Sequence, residues 1–202
     1  MKIIIANDMH ISYASIICAT IAESAKVRGT GIAKRTPEHI AEKIKQGNAV
    51  IALEGQIFVG FCYIDTWEEE RFVANSALIF NPDYRGKGVA REIKKKVFQL
   101  SKEKYPNAKA FSITTGLAVM KMNSELGYKP VTFSEVTTDP FFWKGCETCQ
   151  NFDVLKRTKQ QMCLCTAMLH DPTDKKAKNR KMKTFERLKR IKEAIFLKPK
   201  HK

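Results

Sequence analysis

Arg85-Gly86-Lys87-Gly88 stands between an apolar run, Leu78-Ile79-Phe80, and a segment whose apolar residues Val89, Ile93, Val97 and Leu100 recur at helical spacing. Gly86 and Gly88 permit positive φ and let the backbone approach a ligand closely. The N–H groups of a helix start then point outward, where the helix dipole favours an anion. The chemistry suited to such a loop is the cradling of a pyrophosphate. A nucleoside triphosphate loop would end in Gly-Lys-Ser/Thr, and this one runs Gly88-Val89-Ala90 instead. The plainer reading is a tight strand-to-helix turn without a ligand.

The elements around the loop read as a mixed chain. Ile3–Ala6 is a short strand and Ser15–Lys26 a helix. A Gly-containing loop, residues 28–35, leads to a second helix with Thr36 as N-cap, Pro37 in its first turn, Ile40 and Ile44 on one face and Gly47 beyond its end. Ala49–Leu53 and Ile57–Asp65 flank Glu54-Gly55-Gln56 as a hairpin. Phe72–Phe80 feeds the loop, Ala108–Thr115 is a further strand, and Leu117–Leu126 is a helix stopped by Gly127.

Arg85-x-x-Gly88-x-Ala90 after a strand resembles the coenzyme A loop of the GNAT acyltransferases, and the order β-α-α-β-β-β-α-β-α resembles their fold. The resemblance covers residues 1–138 and implies an α+β chain. Its sheet would be mixed but mostly antiparallel, flanked by helices, with fourth and fifth strands splayed around the thioester arm and a final strand near Val131–Val136. It further implies an acyl-CoA donor, acetyl-CoA or another. The backbone near Ile79 and Phe80 would pair with the pantetheine, and the amides of Arg85, Gly86, Lys87, Gly88, Val89 and Ala90 would hold the pyrophosphate. In such a reaction a neutral amine attacks the thioester carbonyl, so alignment and an N–H aimed at the oxyanion supply much of the rate.

Proton transfer is harder to place. Many relatives carry a Tyr acid four residues before the Gly of the last helix, where this chain has Asn123, and an Asn at the helix start, where it has Gly116. Asn123 hydrogen-bonds but donates no proton as an acid would. No Glu lies on Phe72–Phe80; Glu68 and its neighbours precede it, in what reads as a solvated loop. Asn123 and Glu68 are the candidates, and both roles stay open.

Gly31-Ile-Ala-Lys34-Arg35-Thr36-Pro-Glu and Phe111-Ser-Ile-Thr-Thr115 resemble segments of the N-acetylglutamate synthases. That resemblance implies that Arg35 grips an amino acid carboxylate, bidentately as guanidinium allows, with Lys34 and Arg28 adding positive field. An exposed Arg beside a helix cap is the alternative. The function implied is acetyl or succinyl transfer to a small amine, glutamate in arginine biosynthesis, by a chain without an amino-acid-kinase domain. A protein N-terminus, a lysine or a polyamine is the second acceptor class. A non-catalytic coenzyme A- or nucleic-acid-binding module is the third reading.

Residues 139–171 read as a Cys-rich extension. Cys146-x-x-Cys149 and Cys163-x-Cys165 bracket a short insert. Two close pairs suit a structural zinc site, with reduced or redox-active thiols and disulfides as the alternatives. Phe141-Phe142-Trp143 before them reads as a hydrophobic hinge or as part of an acceptor pocket.

The chain of 202 residues carries a net +15. Residues 172–202 read as a separate basic tail. Phe185, Leu188, Ile191 and Ile195 fall on one face of a possible helix there, which could dock on the parent domain or meet nucleic acid, an anionic membrane or a partner. No apolar run approaches the ~20 residues that span a bilayer. No secretion signal is visible, so the chain reads as cytoplasmic with reduced thiols. Oligomeric state is not encoded legibly.

Overall fold

The computed structural model describes residues 1–28 and 33–174. Gly31 and Ile32 of the Arg35 segment, and residues 175–202 of the basic tail, lie outside the described residues. The chain divides into two units, residues 1–171 and residues 172–202. Among the described residues no helix is long and apolar enough to cross a membrane.

The first unit is built on seven strands: β1 (Lys2–Ile5), β2 (Ala49–Glu54), β3 (Ile57–Trp67), β4 (Phe72–Phe80), β5 (Lys109–Thr114), β6 (Lys129–Val131) and β7 (Thr166–His170). They form one sheet in the order β1-β2-β3-β4-β5-β7-β6. Every neighbouring pair is antiparallel except β4 and β5. This is the mixed, mostly antiparallel α+β sheet implied by the sequence.

Strand alternation sorts side chains to two faces. Val50, Ala52, Val73 and Ala110 pack with Val89, Ile93 and Val97 of α3 (Val89–Lys104). Ile51, Leu53, Phe61 and Tyr63 face Ile17 and Ile21 of α1 (Ala14–Arg28) and Ile40 and Ile44 of α2 (Pro37–Lys45). The Thr36 hydroxyl caps α2 by accepting from the His39 N–H, with Pro37 in the first turn. Gly60 lets α3 lie flush on β3: a Cβ there would meet Ile93 Cδ1 at 2.6 Å and the Ile79 carbonyl at 3.0 Å.

The final strand differs from the sequence expectation. Near Val131–Val136 the chain forms β6 only to Val131, then a 3₁₀ turn, Phe133–Glu135, in which Thr132 and Glu135 make a capping box. The closing strand is β7, which inserts between β5 and β6. Residues 132–165 are therefore a long connection between two strands of one sheet. Within it α5 (Pro140–Lys144) and α6 (Phe152–Arg157) pack Trp143 and Leu155 against Phe72, Phe111, Ala167 and Leu169.

β4 and β5 pair only from Phe72–Ala74 to Lys109–Phe111. Beyond Ala74, β4 stays with β3 while β5 stays with β7, so the sheet opens. The opening begins beside an irregularity: Tyr63 pairs with Ser76 and Phe61 with Ile79, leaving two β4 residues opposite Cys62. Ala77, one of these two, takes φ +52°. A bulge of this kind bends its strand and re-aims the backbone.

Candidate active site

The Arg85–Ala90 loop is held from below. Asn81 caps the turn Pro82–Tyr84 through its side chain, and the Tyr84 hydroxyl donates to Glu54 Oε2 at 2.7 Å. Lys87 Nζ lies 4.6 Å from the centre of the Tyr84 ring. Gly86 and Gly88 take φ +77° and +75°, the left-handed region that other residues enter only with strain. Gly88 is the N-cap of α3, and no side chain caps that end. A helix of sixteen residues thus presents its first amides beside Arg85 and Lys87.

The splay opens into a cavity of about 450 Å³. One wall comes from the α2 side: Lys34, Arg35, His39, Tyr63 and Asp65. The facing wall comes from the β6–β7 connection, with Phe142, Trp143 and Asn151 among its residues. Ser76–Ile79 of β4 and Phe111–Thr114 of β5 form the edges.

Arg35 is fixed by two hydrogen bonds. Its Nε donates to the Tyr63 hydroxyl at 2.6 Å, and one terminal nitrogen donates to the Lys34 carbonyl at 2.9 Å. His39 Nε2 lies 3.3 Å from the same hydroxyl. Burial holds the His39 imidazole below its ordinary pKa, against the opposing pull of Asp65. Asp65 itself forms an ion pair with Lys43. Two further cavity residues have donors without a hydrogen-bond partner, Trp67 Nε1 and Asn151 Nδ2. Buried donors of that kind are costly unless something accepts from them.

The structure brings Lys34 and Arg35 to the cavity, and Ile79 to its edge. The two candidates for proton transfer do not line it. Glu68 sits in the β3–β4 turn, where its carboxylate accepts from the hydroxyls of Thr137 and Thr138 and the Thr138 N–H and pairs with Arg71. Asn123, on α4 (Leu117–Glu125), is wholly buried; its amide nitrogen donates to Ser112 Oγ at 3.4 Å, and its Oδ1 has no partner. His39, Tyr63, Trp67 and Asn151 were not singled out by the sequence reading. The position of His39 three residues after the Thr36 cap is the one local signal that could have placed it beside Arg35.

Cys146, Cys149, Cys163 and Cys165 all border the same cavity as free thiols. Burial, then the nearby thiols of Cys149 and Cys163, push Cys146 up to about 11. Cys165 is raised by burial and by its neighbour Cys163. Protonated thiols are poor nucleophiles. Among the described residues no three His, Cys, Asp or Glu side chains are arranged to hold a metal ion. The expected zinc set is therefore not formed by these side chains as they stand.

Residues 33–122 match the family model described as the acetyltransferase (GNAT) family. A search of curated protein sequences gives no match. Among solved structures, Rv2747 from Mycobacterium tuberculosis in complex with CoA and NLQ superposes with a TM-score of 0.60 at 14% identity, over 85% of this chain and 99% of that one. The N-acetylglutamate synthase from Neisseria gonorrhoeae complexed with coenzyme A and N-acetyl-glutamate gives 0.60 at 14% identity, over 84% of this chain but only 34% of the synthase. The ribosomal-protein-S18-alanine N-acetyltransferase from Escherichia coli gives 0.52 at 10% identity, over 84% and 92%. The matched segment, which is similar to the GNAT acetyltransferase family, runs from the Arg35 wall through the splayed strands and the glycine loop into α4.

Proposed function

We propose that the protein transfers an acyl group from acyl-CoA to the α-amine of a carboxylate-bearing amino acid, glutamate before others. The observation that carries this is Arg35, clamped by Tyr63 and Lys34 on the cavity wall that the splay opens. A guanidinium so held keeps free N–H groups in a fixed plane, which suits a carboxylate. Trp67 Nε1 and Asn151 Nδ2 supply further donors in search of an acceptor, as a second carboxylate would provide. Two solved relatives of this fold fit the reading: the gonococcal synthase bound to N-acetyl-glutamate, and Rv2747 bound to CoA and NLQ.

In this reading the loop Arg85–Ala90 binds the donor's pyrophosphate and the β4 edge near Ile79 and Phe80 aligns its pantetheine. The amine nitrogen bonds to the thioester carbon, the C–S bond breaks, and the departing thiolate takes up the proton that the nitrogen sheds as the amide forms. The ammonium must lose a proton first. His39, the one imidazole lining the cavity among the described residues, is kept neutral by burial and takes that proton directly or through the Tyr63 hydroxyl.

The test is thiol release from acetyl-CoA and succinyl-CoA with a panel of amino acids and polyamines. Stimulation by glutamate supports the reading; stimulation by polyamines or lysine alone moves the acceptor to a cationic class.

A further inference from the structure

Lys94 is a buried cation that the acyl transfer described above does not use. It is on α3, 1% exposed, and yet it lines the cavity. Its neighbours include the Asn75 Oδ1 at 3.2 Å, the face of Tyr128 at 5.2 Å and the buried Cys62 thiol. None of the ion pairs among the described residues includes it. A buried ammonium with no carboxylate is expensive, and buried charges are ordinarily paired.

Its place in the sheet says what arrives. Asn75 and Ser112 belong to the α3 face by alternation, since Val73 and Ala110 two residues away pack on α3. Arg35, Tyr63 and His39 belong to the opposite face. Asn75, Ser112 and Lys94 nevertheless line the same cavity as Arg35. The cavity therefore passes through the sheet, at the point where β4 and β5 cease to pair. Donor and acceptor ends are separated by that slot. A thioester aligned along β4, as proposed above, would lie in this slot, with the Lys94 side of the cavity open to its acyl chain.

The geometry points to an acyl donor that ends in a carboxylate, a dicarboxylic acyl-CoA of succinyl length, with Lys94 as its counter-charge and Asn75 and Ser112 as neighbouring polar groups. An acetyl methyl in this slot would leave the ammonium unpaired. This inference deepens the proposed function and rests on it for the placing of the donor, but not for the identity of the acceptor.

Donor affinity, measured by titration without any acceptor, tests it separately. Succinyl-CoA and butyryl-CoA have acyl chains of the same length and differ in the terminal carboxylate, so their ratio isolates the charge. The wild-type protein should bind succinyl-CoA about tenfold or more tighter, as one charge-assisted contact would give. In Lys94→Met and Lys94→Gln that ratio should fall to within about threefold, while the exposed Lys95→Met should keep it. Equal affinity in the wild type overturns the inference, and needs no variant to fold. A ratio that survives in Lys94→Met also overturns it, as does a rise in glutamate KM with the donor ratio unchanged. Donor discrimination without glutamate-dependent thiol release would sink the glutamate reading and leave this one standing.

Discussion

Arg35 Nε donates to the Tyr63 hydroxyl at 2.6 Å, and the same hydroxyl lies 3.3 Å from His39 Nε2. One phenol thus orients the anion-binding group and touches the group that could accept a proton. Tyr63→Phe frees the guanidinium to rotate while keeping the ring in the core. It should raise the glutamate KM by about tenfold. Arg35→Ala should raise it by about a hundredfold or more, since a bidentate ion contact is lost. Neither should shift acyl-CoA affinity. Steady-state kinetics with both substrates varied check this, and an equal loss for donor and acceptor would make Arg35 structural.

His39 gives a pH signature. Burial lowers its pKa from the ordinary 6.5, so the neutral form persists to lower pH than in a free imidazole. Activity that needs the neutral ring should be full at pH 7 and fall only as pH drops through the depressed value. His39→Gln should lose that acidic limb and lower kcat by about a hundredfold, with glutamate KM nearly kept. A pH–kcat profile of the variant that keeps the limb would remove His39 from proton transfer.

The donor loop makes a different demand. Gly88 holds φ +75° at the start of α3. A side chain there costs about 1–2 kcal/mol in this conformation and moves the amides that face the phosphates. Gly88→Ala should therefore raise the acyl-CoA KM by roughly tenfold and leave glutamate KM alone. A KM for acyl-CoA that does not move would argue against the cradle.

Lys94 couples the site to stability. Burial lowers it to about 8 from 10.5. Between those two pH values the unfolded chain binds more protons than the folded one, so this group's contribution to stability rises with pH across that window. Below it the buried charge costs on the order of 3 kcal/mol. In the absence of donor, Lys94→Met should thus melt about 5 °C or more above the wild type at pH 7, and the gap should close towards pH 10.5. Calorimetry at both pH values checks the sign. A variant that melts lower at pH 7 would mean that packing by the Lys94 chain outweighs its charge.

The parts legible in the sequence are those coded locally. Thr36-Pro37, Gly86, Gly88 and the apolar spacing of α3 each act within one or two turns, and all lie where the residue types place them. The cavity walls are coded by distant pairing. Tyr63 and Trp67 sit in a run from Phe58 to Trp67 that reads as core, and only the bulge opposite Cys62 turns part of it to a site. Thr166–His170 lacks the β-branched density of a strand, and its place between β5 and β6 depends on a partner more than fifty residues away. Lys94 looks like any lysine of an amphipathic helix, Lys94-Lys95-Lys96; its burial follows from the opening between β4 and β5, which no local pattern records.

The most direct measurement is thiol release from acetyl-CoA and succinyl-CoA by the purified chain with and without L-glutamate, with product identified by mass. Release that depends on glutamate and yields an N-acylated glutamate is the expected result. Release that glutamate does not stimulate, with another amine accepting the acyl group, would contradict the account.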